Sequence, residues 1–167
     1  MSITTKTGDK GKTSLYSGER INKDDHIMEF VGTGDELVSN LGELRNRVKS
    51  IDEVIIRVQK AIFSINAYAA TKEGREKFLI SQDEVDFLEN LLQEYEKNVG
   101  TLTGFVIPSE NLNASKADIC RTIARRYERR LITLNSYDNF EPVVLKYVNR
   151  LSDMLFMMAR VLGKEKH

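Results

Sequence analysis

The sequence is poor in cysteine, proline and histidine and contains no tryptophan. The one cysteine, Cys120, excludes an internal disulfide framework and is typical of a protein from a reducing compartment. The two histidines, His26 and His167, lie far apart, and no H-E-x-x-H, E-x-x-H or C-x-x-C pair occurs. We therefore expect no metal-ligand side chains, and in particular no zinc or di-iron centre.

Long apolar runs and an excess of charge of either sign are also absent. No apolar stretch approaches the roughly 18 residues of a membrane span, and the polar N-terminus has no apolar signal-peptide core. The 25 basic and 25 acidic residues cancel, which argues against non-specific nucleic-acid binding. The length, 167 residues, suits one domain with a real core. We expect a single-domain cytoplasmic protein, residues 1–167, that binds neither nucleic acid nor a membrane.

The chain does contain strong helical periodicity. Leucines at spacings of three and four, from Leu37 to Leu44, predict a first helix over 33–48. Thr33 followed by Glu36 predicts a capping box at its start. Strand signals are nearly absent, so we predict an all-α, five-helix bundle over 33–163. The other four predicted helices cover 51–71, a segment that starts at 81, a segment from 113 or 114 to 134, and 142–162.

The fifth predicted helix is apolar on nearly all of its faces. Met154 and Met158 belong to a core stripe, whereas Val148 and Met157 place apolar groups on other faces. A helix that is apolar all round is usually buried all round. Its covering is either another subunit or the other helices of the same chain, and both explanations stay open from the sequence.

The N-terminal stretch TKTGDKGKTS, residues 5–14, ends like a phosphate-binding P-loop. The P-loop pattern requires its first glycine at the position of Lys6, whereas the glycine of this chain is Gly8. The stretch is therefore not a P-loop, although its glycines, lysines and hydroxyl groups suit an anion. The alternative is a solvated, disordered terminus.

The fourth predicted helix carries a charged strip beside its apolar stripe. At about 100° per residue, Arg126 and Arg130 point away from this strip. Arginine forks bind phosphate oxygens in a bidentate manner, so the strip predicts a polyanion site in which Glu128 orients an arginine. The alternative is a solvated basic face with i,i+4 pairs. The strip consists of Arg121, Arg125, Glu128 and Arg129.

Two other polar features accompany the arginines. Asp35 and Glu36 near the start of the first predicted helix complement its dipole, and Asp35 is also a candidate partner for an arginine of the fourth helix. Asn149 and Asp153 lie four residues apart and form a polar notch in the apolar fifth helix. This notch is either part of a site or a satisfied polar cluster.

Five segments in this order resemble the PduO-type ATP:cob(I)alamin (corrinoid) adenosyltransferases. The resemblance extends from residue 3 to about residue 162, and five ordered segments argue against a chance match. The segments are TKTGDKGKTSL at 5–15, GERINKDD at 18–25, GTGDEL at 32–37, RTIARRYERR at 121–130 and YVNRLSDMLFMMAR at 147–160.

The resemblance implies a ferritin-like, cobalamin-adenosyltransferase-like bundle that forms a homotrimer with active sites between subunits. Residues 1–25 would be an N-terminal ATP-binding segment. The implied substrates are ATP with Mg²⁺ and a corrinoid reduced to Co(I), whose cobalt attacks the 5′ carbon of ATP and displaces triphosphate. The implied protein partners are a cobalamin reductase and an adenosylcobalamin-dependent acceptor enzyme.

The resemblance also implies roles for individual residues. Asp35 and Arg121 match an ion pair that joins two subunits beside the site, and Arg125 would bind the triphosphate. Phe105 would pack on the corrinoid and displace its lower axial ligand, whereas without the resemblance it is interpreted as a core aromatic of a connector. The positions matched to ATP contacts are Thr5, Lys6, Thr7, Gly8, Thr13, Ser14, Lys23, Arg125, Arg126, Glu128, Arg129 and Asn149.

The chain departs from the family pattern at several positions. Residues 109–111 replace glycines, residues 117–118 replace a Leu-His pair, Tyr127 replaces an alanine, and Gly34 is uncommon at its position. These departures motivate a second hypothesis, a non-catalytic carrier or sensor that binds ATP or a corrinoid on the same scaffold. A third hypothesis is a purely structural helical oligomer, in which the arginine strip is a solvated face.

Overall fold

The structure is a computed structural model that describes residues 8–15, 17–108 and 110–164. Two short strands precede five long helices, which confirms the predicted all-α, five-helix bundle. Two 3-10 turns, Lys49–Ile51 and Arg75–Phe78, lie in the connections on either side of the second helix. The strands and helices are β1 (Lys12–Ser14), β2 (Arg20–Asn22), α1 (His26–Arg47), α2 (Asp52–Ala69), α3 (Gln82–Val99), α4 (Leu112–Asn135) and α5 (Pro142–Lys164).

The first helix begins at His26, so the predicted start at Thr33 is wrong. Asp25 caps the helix, and its Oδ1 accepts a hydrogen bond from the amide of Ile27 at 2.9 Å. Thr33 lies inside the helix, where its hydroxyl donates to the carbonyl of Glu29 at 2.6 Å and caps nothing. The buried Phe30 extends the apolar face before Thr33, and this packing outweighs the low helix propensity of the glycines nearby.

The antiparallel hairpin of β1 and β2 was not predicted from the sequence. Thr13 lies opposite Ile21 in the ladder, and Leu15 donates its amide to the carbonyl of Glu19 at 2.8 Å. Glu19 also pairs with Lys72 at 3.0 Å, which joins the hairpin to the segment after α2. Strands of three residues are too short for a period-two pattern to stand out, which explains why sequence reasoning missed them.

The fifth helix is covered by its own chain. Val148 is fully buried and Met157 is 6% exposed in the single chain, where α5 packs against α3 and α4. For Val148 and Met157, the structure therefore supports the second explanation of the all-round apolarity, in which the other helices of the same chain cover α5.

Three helices meet at a contact that we call the Tyr127 cluster, formed by Tyr127, Asn66, Gly34 and Phe30. The Tyr127 ring on α4 stacks on Phe30 of α1 with centroids 4.2 Å apart, and its hydroxyl donates to Oδ1 of Asn66 on α2 at 2.8 Å. Asn66 lies directly against Gly34, where an added Cβ would be 2.5 Å from its Nδ2. The glycine thus permits the close approach of α1 and α2 that brings Asn66 to Tyr127.

Cys120 faces the core of the bundle and should be unreactive in the folded protein. Burial raises the pKa of its thiol to about 12, so the thiolate that reacts with alkylating agents is scarce near neutral pH. We expect a thiol reagent such as a maleimide to modify Cys120 only after denaturant unfolds the protein. Mass spectrometry of labelled native and unfolded samples checks this, and rapid labelling of the native protein would contradict it.

Candidate functional site

A cavity between α4 and α5 contains the first two arginines of the predicted strip. Arg121 and Arg125 contribute from α4, and Asp153 and Phe156 contribute from α5. The cavity, which we call the α4–α5 cavity, has a volume of about 450 Å³. Its other lining residues are Leu92, Glu96, Leu102, Ser152 and Met157.

Arg125 is the least compensated cation of this cavity. Its side chain is exposed and makes no ion pair with any described residue. By contrast, Arg126 pairs with Glu36, and Arg130 pairs with Glu29 at 3.0 Å. A guanidinium without a carboxylate partner has all of its donors available for an incoming anion.

The remaining arginines of α4 lie outside this cavity, and two of them face α1. Arg126 and Arg130 line a cavity of about 390 Å³ together with Thr33 and Glu36 of α1. Arg129 lies beside them and donates to the carbonyl of Arg125 at 3.1 Å. The structure therefore does not place Arg129 in the α4–α5 cavity with Arg121 and Arg125, as the strip had predicted.

Arg121 is held by a residue that sequence reasoning did not select. Its Nε donates to Oδ1 of Asp118 at 2.9 Å, and its guanidinium carbon lies 6.0 Å from the centre of the Phe156 ring. An acid three residues before an arginine on a helix was the signal that could have identified Asp118. The two terminal nitrogens of Arg121 have no partner among the described residues.

Asp35 has no hydrogen-bond or ion-pair partner within the described part of the chain. It follows Gly34 on α1, and partial burial of its carboxyl group raises its pKa. The predicted pair of Asp35 with Arg121 joins two subunits, so a single chain does not test it. It stays a prediction.

Glu128 does not pair with an arginine among the described residues. Its Oε1 accepts a hydrogen bond from Nδ2 of Asn149 on α5 at 2.7 Å, and Asn149 Oδ1 accepts one from Arg150 at 2.8 Å. Two residues matched to ATP contacts, one on α4 and one on α5, are thus in direct contact. The polar notch at Asn149 and Asp153 is exposed, so it is not a buried polar cluster.

The described N-terminal candidates cluster around the hairpin. The side chain of Lys23 lies over Gly8, where an added Cβ would be 3.2 Å from Nζ. Thr13 and Ser14 are in β1. None of these four residues makes a hydrogen bond or ion pair with an arginine of α4 within the described chain. Thr5, Lys6 and Thr7 lie outside the described residues.

Phe105 is fully exposed, so its interpretation as a core aromatic is wrong. It lies in the connection between α3 and α4, where Ile107 is also largely exposed, as is Leu112 at the start of α4. Three exposed apolar side chains within eight residues make this segment a candidate contact surface for a ligand or another protein.

A larger cavity, of about 730 Å³, lies where α1 begins and α4 ends. It contains Lys72 and Arg75, but Lys72 pairs with Glu19 and Arg75 pairs with Asp138. Because both cations are already compensated, we consider the smaller α4–α5 cavity the better anion site. Within the described residues no group of three or more His, Cys, Asp or Glu side chains could hold a metal ion, and no helix could span a membrane.

The fold and this site together define a class of protein, a five-helix bundle with a cavity between α4 and α5 that contains Arg125, an arginine without an ion-pair partner among the described residues. Comparison with known proteins gives the family. The family model described as cobalamin adenosyltransferase matches residues 3–162, and the chain belongs to this family.

Several curated relatives are named corrinoid adenosyltransferases. The chain is 38% identical to a corrinoid adenosyltransferase of Citrobacter freundii, an alignment that covers 95% of this chain and 93% of the relative. It is 36% identical to a corrinoid adenosyltransferase of Bacillus subtilis, over 98% and 87% of the two chains. The human corrinoid adenosyltransferase is also 36% identical, over 95% and 67%.

Solved structures share the fold. A single-site variant of the PduO-type ATP:corrinoid adenosyltransferase from Lactobacillus reuteri, complexed with cobalamin and ATP, has a TM-score of 0.91 and 28% identity, covering 97% of this chain and 93% of that one. A second variant of the same enzyme, complexed with ATP, has a TM-score of 0.89 and 29% identity, over 96% and 94%.

Proposed function

We propose that this protein transfers the 5′-deoxyadenosyl group of ATP to the cobalt of cob(I)alamin or a related corrinoid. The observation that carries this proposal is the uncompensated Arg125 beside Arg121 in the α4–α5 cavity, in a chain that belongs to the cobalamin adenosyltransferase family. Relatives with 36 to 38% identity are named corrinoid adenosyltransferases, and a structural neighbour binds both cobalamin and ATP.

The reaction makes one bond and breaks one bond. The electron pair of Co(I) forms a cobalt–carbon bond at the 5′ carbon of ATP, and the carbon–oxygen bond to triphosphate breaks with its electrons on the leaving oxygen. Because the cobalt is itself a strong nucleophile, the protein needs no general base. Its task is to hold the two substrates in line and to stabilise the charge of the departing triphosphate.

Arg125 is the residue we assign to the triphosphate. Its terminal nitrogens can bind phosphate oxygens in a bidentate manner without first breaking an ion pair. Mg²⁺ would arrive with ATP and be coordinated mainly by phosphate oxygens, as is usual for nucleotide sites. Lys23, which lies over Gly8, would add positive charge from the N-terminal segment.

Phe105 is assigned to the corrinoid. Its exposed ring, with Ile107 nearby, offers an apolar surface on which the macrocycle can pack and from which water is excluded. Replacing the lower axial ligand of cobalt by this surface would favour four-coordinate cobalt and its reduced state.

We further infer that the active enzyme is a homotrimer with sites between subunits. In support, Gly8, Thr13, Ser14 and Lys23 make no polar contact with the arginines of α4 within the described chain. The two sets of ATP contacts would meet when the N-terminal segment of one subunit reaches α4 of the next. A cytoplasmic location, a reductase and an acceptor enzyme stay predictions from the sequence.

Anaerobic incubation with ATP, Mg²⁺ and chemically reduced cobalamin tests the function. We expect the absorbance spectrum of adenosylcobalamin and one equivalent of triphosphate, and neither product when ATP is omitted. Saturable binding of ATP and cobalamin without product would contradict the proposal and favour a carrier or sensor. Absence of saturable ATP binding would favour a structural oligomer.

A further inference from the structure

We propose that Asp118 is a positioning residue that couples the arginine side of the site to the segment that carries Phe105. This inference rests on the proposed function, because it assigns the two sides to ATP and to the corrinoid. The residues that connect them are Asp118, Arg121, Arg160 and Glu110, which we call the Asp118 network.

Asp118 is a buried carboxylate between two guanidinium groups. It is 5% exposed, and its two oxygens have different partners: Oδ1 accepts from Nε of Arg121 at 2.9 Å, and Oδ2 accepts from Nη2 of Arg160. A carboxylate that is both buried and paired twice holds each partner in a defined orientation. Arg121 is thereby fixed through Nε, and its terminal nitrogens stay without a partner in the described chain.

Arg160 depends strongly on Asp118. It lies on α5, is 4% exposed, and its Nε has no hydrogen-bond partner within the described chain. Its other ionic contact is Glu110 Oε1, 3.2 Å from Nη1 but without an aligned hydrogen bond. The guanidinium carbon also lies 5.3 Å from the centre of the Phe156 ring, which Arg121 approaches as well. Removing the Asp118 carboxylate would therefore leave the buried Arg160 guanidinium nearly unpaired, which is strongly unfavourable.

Glu110 and its neighbour Asn111 fasten the end of the connection between α3 and α4. The side chain of Glu110 packs on Gly163 of α5, where an added Cβ would lie 3.1 Å from Glu110 Cδ. Asn111 donates to the carbonyl of Leu162 at 2.8 Å and caps α4 by accepting hydrogen bonds from the first-turn amides. These contacts hold the end of the segment in which Phe105 and Ile107 are exposed.

The network therefore runs from the lining of the α4–α5 cavity to the Phe105 segment. Asp118 contacts Arg121 on one side and, through Arg160, Glu110 on the other. Asp118 and Glu110 are also two of the positions at which the sequence departs from the family pattern. In this chain a single arginine, Arg160, contacts both residues.

The test uses Asp118→Asn and Glu110→Gln in the full-length protein, with two binding constants measured separately. ATP with Mg²⁺ is titrated by calorimetry, and cob(II)alamin is titrated by its absorbance change. We expect Asp118→Asn to raise the dissociation constants of both ATP and cob(II)alamin by about tenfold, which corresponds to about 1.4 kcal/mol of binding free energy. We expect Glu110→Gln to weaken cobalamin binding by about threefold and ATP binding less, because Glu110 is partly exposed, lies next to the Phe105 segment and reaches Arg121 only through Arg160 and Asp118.

Coupling is measured by the double variant. In the Asp118→Asn background, Glu110→Gln should have little further effect on cobalamin, because the connection through Arg160 is already lost. Glu43→Gln is the matched control, since Glu43 is exposed and pairs with Lys116 away from the site; it should leave both constants unchanged.

Two results would overturn the inference. One is unchanged binding of both ligands by a folded Asp118→Asn variant. The other, which applies even if that variant does not fold, is a Glu110→Gln variant whose two constants change equally or not at all. Both dissociation constants are measured without turnover. Failure of the inference is therefore distinguishable from failure of the proposed function, in which the wild-type protein would form no adenosylcobalamin.

Discussion

Replacing Arg125 by alanine is expected to lower kcat/KM for ATP by about 10²–10³-fold while the helix content stays unchanged. Arg125 is exposed, so its truncation leaves no cavity in the core. It forms no side-chain ion pair with a described residue, so no buried partner loses its compensation. What disappears is a guanidinium placed to stabilise negative charge on the departing triphosphate.

The measurement is steady-state kinetics of adenosylcobalamin formation, with circular dichroism to monitor the fold. Arg125→Lys separates charge from geometry: it should recover only part of the activity, because an ammonium group cannot bind two oxygens in the planar fork geometry. Arg47→Ala is the matched control, because Arg47 is also a helical arginine but pairs with Glu43 near the end of α1. Normal turnover by Arg125→Ala would show that the triphosphate assignment is wrong.

Replacing Gly34 by alanine is expected to destabilise the protein by roughly 1–3 kcal/mol. This sign is unusual, because alanine in a helix is normally favoured over glycine by about 1 kcal/mol. Here the new Cβ would lie 2.5 Å from Asn66 Nδ2, so Asn66 must move and its hydrogen bond with Tyr127 is disturbed. Tyr127 is fully buried, so its hydroxyl would have difficulty finding another partner.

The control is Gly32→Ala, two residues earlier on the same helix. An added Cβ at Gly32 meets no atom within 4 Å, so this variant should be neutral or up to about 1 kcal/mol more stable. Urea denaturation of both variants, and of each combined with Asn66→Ala, measures the coupling. Gly34→Ala should cost much less in the Asn66→Ala background, and equal effects of both glycine substitutions in the wild-type background would refute the contact.

The helical periodicity was sufficient to predict the number of helices and their approximate positions. The leucines from Leu37 to Leu44 and the Pro142 start of α5 carry this information locally, through apolar spacing and helix-start chemistry. The true start of α1 was missed, because Asp25 and Thr33 are both acceptable caps and only the burial of Phe30 decides between them.

The candidate site was predictable in part. The 100° rotation per residue placed Arg121 and Arg125 on one side, and the structure has them in one cavity. The same rule grouped Arg129 with them, although its neighbours Arg126 and Arg130 face α1. The 100° rule describes one isolated helix and cannot say where α1 and α5 lie. The positions of these two helices decide that Arg121 and Arg125 line the α4–α5 cavity, whereas Arg129 does not.

The sequence by itself determined the class of fold, the family to which the chain belongs and the set of candidate residues for a phosphate site. It could do so because helical periodicity and motif spacing are local properties of a chain. Only the tertiary structure decided that Arg125 lines the α4–α5 cavity without an ion pair to a described residue, that Phe105 is exposed, and that Asp118 joins Arg121 to Arg160. The physical reason is that burial and charge compensation depend on groups distant in sequence, such as Glu36 for Arg126 and Asn66 for Tyr127, which meet only when the helices pack.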